Sequence, residues 1–120
     1  MNIVLLSTDL MVVSRVEGAA AASGASVQAA SDTIAAATCC KEIGAAALIV
    51  DLSAPALDWA TLREFATAAD RNTRIIAFGP HVHKERLEAA QAAGCDSVLS
   101  RGQFFSDLSS LVANLKNNAI

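Results

Sequence analysis

Ala47-Leu48-Ile49-Val50-Asp51-Leu52 opens with four successive apolar residues and then carries one carboxylate. A strand with one wet face alternates apolar and polar residues. A run apolar at every position fits a strand covered on both faces, as in a parallel sheet held between two layers of helices. The stretch therefore predicts a strand over Ala47 to Val50 with Asp51 at its carboxyl end, and Pro55 then forces a loop.

The same logic extends in both directions. Ile3 to Leu6 repeats the apolar signature, and Ser7, Thr8 and Asp9 follow as N-cap side chains for a helix carrying Val12, Val13 and Val16 up to Gly24. A brief strand over Ser26 to Ala30 leads to Asp32, which caps a helix presenting Ile34, Ala37 and Ile43 and stopped by Gly44. Beyond the central run, Asp58 caps a helix with a Leu62, Phe65, Ala66 and Ala69 stripe, closed by the polar turn Asp70 to Thr73. Ile75 to Phe78 forms a strand broken by Gly79 and Pro80, and Leu87, Ala90 and Ala93 mark a helix stopped by Gly94. Ser97 to Ser100 is the last strand, and Phe105, Leu108, Leu111, Val112 and Leu115 give a periodic final helix. Five strands alternating with five helices predict one α/β domain over residues 1–120, an open parallel sheet with helices on both faces.

Composition narrows the function. With 53% hydrophobic and 18% charged residues in 120 positions, the chain has ample material for a core and no apolar run long enough to cross a bilayer. The first residues lack a secretory signal's basic start and small-residue cleavage site, which sets the expectation of a cytoplasmic protein. A net charge of −3 and 4% aromatics argue against a surface that tracks phosphates or stacks bases, so neither nucleic acid nor membrane is an expected partner. Cys39, Cys40 and Cys95 form no disulfide framework, and reduced, partly buried thiols are expected.

In a sheet of this kind ligands meet the carboxyl ends of the strands. Those ends carry Ser7, Thr8 and Asp9, then Asp51, Gly79, Ser100 and Arg101. With the Asp51 run and Leu87-Glu88-Ala89-Ala90-Gln91-Ala92-Ala93-Gly94-Cys95-Asp96-Ser97-Val98-Leu99-Ser100-Arg101, these positions make the whole chain resemble a response-regulator receiver domain, the CheY-like family. The resemblance implies a flavodoxin-like (βα)5 fold with strand order 2-1-3-4-5. In receivers an acidic pair after the first strand holds Mg²⁺, an Asp ending the third accepts a phosphoryl group, and a hydroxyl residue and a Lys after the fourth and fifth sense it.

Asp51 matches the phosphoacceptor of that pattern. Ser7 and Thr8 stand at the acidic pair, with Asp9 one place beyond; Gly79 stands at the hydroxyl position, Arg101 at the Lys and Gly102 at the following Pro. Two neutral hydroxyls cannot supply the carboxylate charge on which Mg²⁺ binding usually depends. Each lost charge contact is worth up to about 4 kcal/mol near a surface. No metal is therefore expected unless Asp51 is phosphorylated, with Asp9 and Asp51 the only weak ligand candidates, and no other cofactor is implied. Arg101 keeps the positive charge with a planar fork suited to a carboxylate, which predicts an Asp51–Arg101 ion pair. The Arg101–Gly102 bond is expected to be trans.

The resulting expectation is a degenerate, non-enzymatic receiver-like module that signals through protein contacts without phosphorylation. A homodimer through the fourth helix, fifth strand and fifth helix, as receivers form, is its possible assembly, and its signalling partner is unidentified. Other readings stand beside it. Asp51 can be a weakened phosphoacceptor, or only a polar strand end satisfying backbone donors. Asp51-Leu52-Ser53 followed by Asp58 is similar to anti-sigma-factor antagonist domains, although Trp59 occupies the place of their phosphorylatable Ser and their topology begins with two strands. A small-molecule binding module would need a pocket at the strand ends. Ser7 and Thr8 lack the glycines of a flavin phosphate loop, His81 and His83 have no ligand partner at metal spacing, and Trp59, Phe104 and Phe105 are expected in the core.

Overall fold

Branched apolar side chains at successive positions build the centre of a five-stranded parallel sheet. The computed structural model describes residues 1–117. The elements run β1 (Asn2–Leu6), α1 (Leu10–Ala22), β2 (Ser26–Ala30), α2 (Thr33–Ile43), β3 (Ala47–Asp51), α3 (Trp59–Ala66), β4 (Arg74–Gly79), α4 (Lys84–Ala93), β5 (Ser97–Ser100) and α5 (Arg101–Asn117). Strand order is β2-β1-β3-β4-β5, with all neighbours parallel. This is the expected flavodoxin-like topology, and because α1 separates β1 from β2 it is not the antagonist order.

Alternation along the strands divides the core in two. Val4, Leu6, Leu48, Val50, Ile75 and Ala77 face α2, α3 and α4. Ile3, Leu5, Ile49, Ile76 and Phe78 face α1 and α5. On the second side the Phe78 and Phe104 rings stack with centroids 4.1 Å apart.

Caps fix the helix starts as read from the sequence. Asp9 accepts from the Met11 and Val12 N–H groups, Asp32 from Ala35 and Asp58 from Thr61. Gly44 and Gly94 close α2 and α4 in the left-handed region, which favours glycine. The Arg101–Gly102 bond is trans, since no cis peptide occurs among the described residues.

Three predicted core positions are corrected. Ile34 is 61% exposed, because the buried stripe of α2 is Thr33, Ala36, Ala37 and Cys40, spaced i, i+3, i+4, i+7, and Ile34 falls about 100° away from its start. Ala69 is exposed because α3 ends at Ala66; there the Thr67 hydroxyl donates to the Arg63 carbonyl and the Arg71 guanidinium to that of Ala66. Phe104, not Phe105, heads the buried row of α5, while Phe105 is half-buried.

Candidate functional site

The carboxyl ends of β1, β3 and β4 bring Ser7, Asp51 and Gly79 together beneath the loops. Asp51 closes β3 and is only 2% exposed. Its Oδ2 accepts from the Ser7 hydroxyl at 2.7 Å and its Oδ1 from the Ser53 N–H at 2.9 Å. The latter is the turn an Asp makes with the backbone two residues on, and it starts the β3–α3 loop. A buried ion is expensive unless hydrogen-bonded, and here both carboxylate oxygens are served by neutral donors. The Ser7 oxygen also accepts from the Asp9 N–H at 3.2 Å, so one hydroxyl ties the start of α1 to the end of β3.

The other expected site residues do not converge on Asp51. Thr8 is exposed. Asp9 is spent on capping α1 through Oδ1, and its Oδ2 lies 3.8 Å from Arg101. That contact corrects the expected Asp51–Arg101 pair. Arg101 is the first residue of α5, directly after β5, and from there it runs along the α1 side, its guanidinium 5.2 Å from the Phe105 ring centroid. Asp51, for its part, is buried and already hydrogen-bonded to the neutral Ser7 and Ser53 donors. Arg15 reaches the same ring at 4.1 Å.

Gly79 is buried, and the place a side chain would occupy is taken. A Cβ there would lie 3.1 Å from the Leu52 Cβ. Leu52 is held on both sides of its backbone: it is fully buried, its N–H donates to the Phe78 carbonyl at 2.8 Å, and its own carbonyl accepts from Arg86. Leu52 and Arg86 were not anticipated from the sequence. The available signal for Arg86 was a cation in the first turns of α4, where the helix dipole disfavours it and a nearby carbonyl offers compensation.

These donors do not fit Mg²⁺. The ion requires near-octahedral oxygen ligation, usually with one or two carboxylates free to turn towards it. Asp9 faces its own helix and Arg101, Asp51 is closed by Ser7 and Ser53, and no group of three or more His, Cys, Asp or Glu gathers anywhere among the described residues. His81 and His83 are exposed, and His83 makes no side-chain cap bond at the start of α4.

A hollow of about 540 Å³ lined by Cys40, Lys41, Phe65 and Arg71 lies at the opposite, amino end of the strands. Burial pushes the Cys40 thiol up to about 12 and Cys95 up to about 11, so both remain protonated at neutral pH. Trp59 is half-buried against the core. No helix among the described residues is long and apolar enough to cross a membrane.

No family model and no curated protein matches the sequence. Solved structures do match the fold. The receiver domain of a sensor histidine kinase from Pseudomonas aeruginosa PAO1, with magnesium in its active-site cleft, superposes with a TM-score of 0.78 at 19% identity over 97% of each chain. A response-regulator receiver domain from Francisella gives 0.78 at 17% identity over 99% of this chain and 98% of its own. A CheY-like protein, tadZ, from Pseudomonas aeruginosa PAO1 gives 0.73 at 19% identity over 96% and 98%. The chain has the receiver fold.

Proposed function

We propose that this chain is a receiver-like signalling module that works in the cytoplasm through protein–protein contacts and does not depend on phosphorylation. The observation that carries the reading is the burial and hydrogen bonding of Asp51: each oxygen is bonded to a neutral donor, at 2.7 and 2.9 Å, and the residue is 2% exposed. Phosphoryl transfer to a carboxylate needs an oxygen free to attack and cations to carry the added charge. Here Arg101 is paired with Asp9, and the Gly79 position offers no hydroxyl and is crowded by Leu52. The receiver fold supports a role in signalling, and the loss of its switch chemistry supports a constant rather than a toggled surface. No enzymatic activity belongs to this reading, and the faces of α4, β5 and α5 remain available to a signalling partner.

Intact mass after incubation with acetyl phosphate and Mg²⁺, with Asp51→Asn as control, tests it. No mass gain is expected in either protein. A single phosphoryl mass on the wild type that disappears in Asp51→Asn would replace this reading with that of a weakened phosphoacceptor.

A further inference from the structure

β2 is an edge strand, and among the described residues no strand pairs with its outward side. The Ser26 N–H donates to the Met1 carbonyl at 3.0 Å, and the Ala30 carbonyl accepts from the Ser7 N–H at 3.1 Å. In a parallel ladder alternate residues face the same neighbour, so Ser26, Gln28 and Ala30 turn their backbone groups to β1. Val27 and Ala29 therefore direct their N–H and C=O groups away from the sheet.

Soluble proteins guard such an edge with Lys, Pro, a bulge, a very short strand or a covering element. Among the described residues β2 has none of these: it is a regular five-residue strand, Ser26-Val27-Gln28-Ala29-Ala30, without charge or proline. Its surroundings are equally bare. Between Glu17 and Lys41 the only charged residue is Asp32, and that carboxylate is occupied in capping α2. Beside the strand, α1 presents exposed Gly18, Ala21 and Ala22, and a side chain at Gly18 would meet nothing within 4 Å. The opposite edge is guarded differently. β5 has four residues, every one half-buried, and lies between Asp96 and Arg101.

We propose that the β2 edge is a self-association surface at which a second copy of this chain adds its own β2 antiparallel, extending two five-stranded sheets into one of ten. An edge without charge has nothing to select a charged partner, whereas its pairing groups complement themselves about a twofold axis through Gln28. In that register Val27 faces Ala29 of the second copy and Ala29 faces its Val27, each pair exchanging two hydrogen bonds, four in all. The two Gln28 residues then form the non-bonded central pair, their side chains close and facing the same way. This assigns the second copy to the edge opposite the α4, β5 and α5 surface and leaves that surface free for a different protein.

Analytical ultracentrifugation of the whole chain over a concentration series, with amide hydrogen exchange, tests the proposal. The wild type is expected to dimerise reversibly, with slowed exchange at Val27 and Ala29. Gln28→Lys sets two like charges directly across the axis and is expected to raise the dimer dissociation constant by at least about tenfold. Ala29→Pro removes an outward N–H that the monomer does not use, so it is expected to abolish the dimer while the far-ultraviolet circular dichroism stays native. A wild type that stays monomeric throughout the series, or a dimer that survives both substitutions, would overturn it.

Discussion

A Cβ on Gly79 would stand 3.1 Å from the Cβ of Leu52, closer than such atoms approach in real proteins without a neighbour giving way. Restoring the hydroxyl residue of a working receiver here requires Leu52 to give way by a few tenths of an ångström. Gly79→Thr is expected to destabilise the fold by about 1–3 kcal/mol through overpacking, measured as a lower urea midpoint with an unchanged slope. Unchanged stability would show that Leu52 can shift after all.

Ser7 and Thr8 are neighbours with opposite expectations. Ser7 is buried and holds Asp51, whereas Thr8 is exposed. Ser7→Ala removes one of the two donors to a buried carboxylate and is expected to cost about 1–3 kcal/mol, while Thr8→Ala stays within about 0.5 kcal/mol. Chemical denaturation of both variants at pH 7 makes the comparison, and equal effects would deny Asp51 its dependence on Ser7.

At the other end of the sheet, Arg71 donates to both Asp96 oxygens, at 2.7 and 3.2 Å, and to the Ala66 and Thr73 carbonyls. Burial raises the Asp96 carboxyl, but the Arg71 hydrogen bond, the Ile75 N–H and the charges of Arg71 and Arg74 together hold it below the usual aspartate value of 3.8. A carboxylate whose folded value is depressed adds stability above its unfolded value and loses it as pH falls through the folded one. Stability is therefore expected to fall on acidification below about pH 4, and Asp96→Asn is expected to flatten that limb while lowering stability at pH 7. Thermal unfolding from pH 7 down to pH 3 reads both effects. An identical acid limb in the variant would assign the loss to other carboxylates.

The sequence disclosed most of the architecture because local signals and the global fold agree. The Asp caps at Asp9, Asp32 and Asp58 and the left-handed glycines Gly44 and Gly94 mark helix ends by chemistry that acts within a few residues. What remained hidden depends on direction in space. Arg101 could be read as a cation near Asp51, but its place at the very start of α5 sends it to Asp9 and Phe105 instead. The tie between Ser7 and Asp51 spans 44 positions, and a serine in a loop gives no local sign of such a partner. The blocking of Gly79 by Leu52 is a steric fact that a glycine in the sequence cannot announce.

β5 passes into α5 with no residue between them: Ser100 ends the strand, Arg101 begins the helix, and the Ser100 hydroxyl accepts from the Gln103 N–H at 3.2 Å. A hinge needs slack, and this junction has none. The last residue of the strand is thus also the cap of the helix, and the end of β5 and the first turn of α5 are held as one continuous piece of backbone.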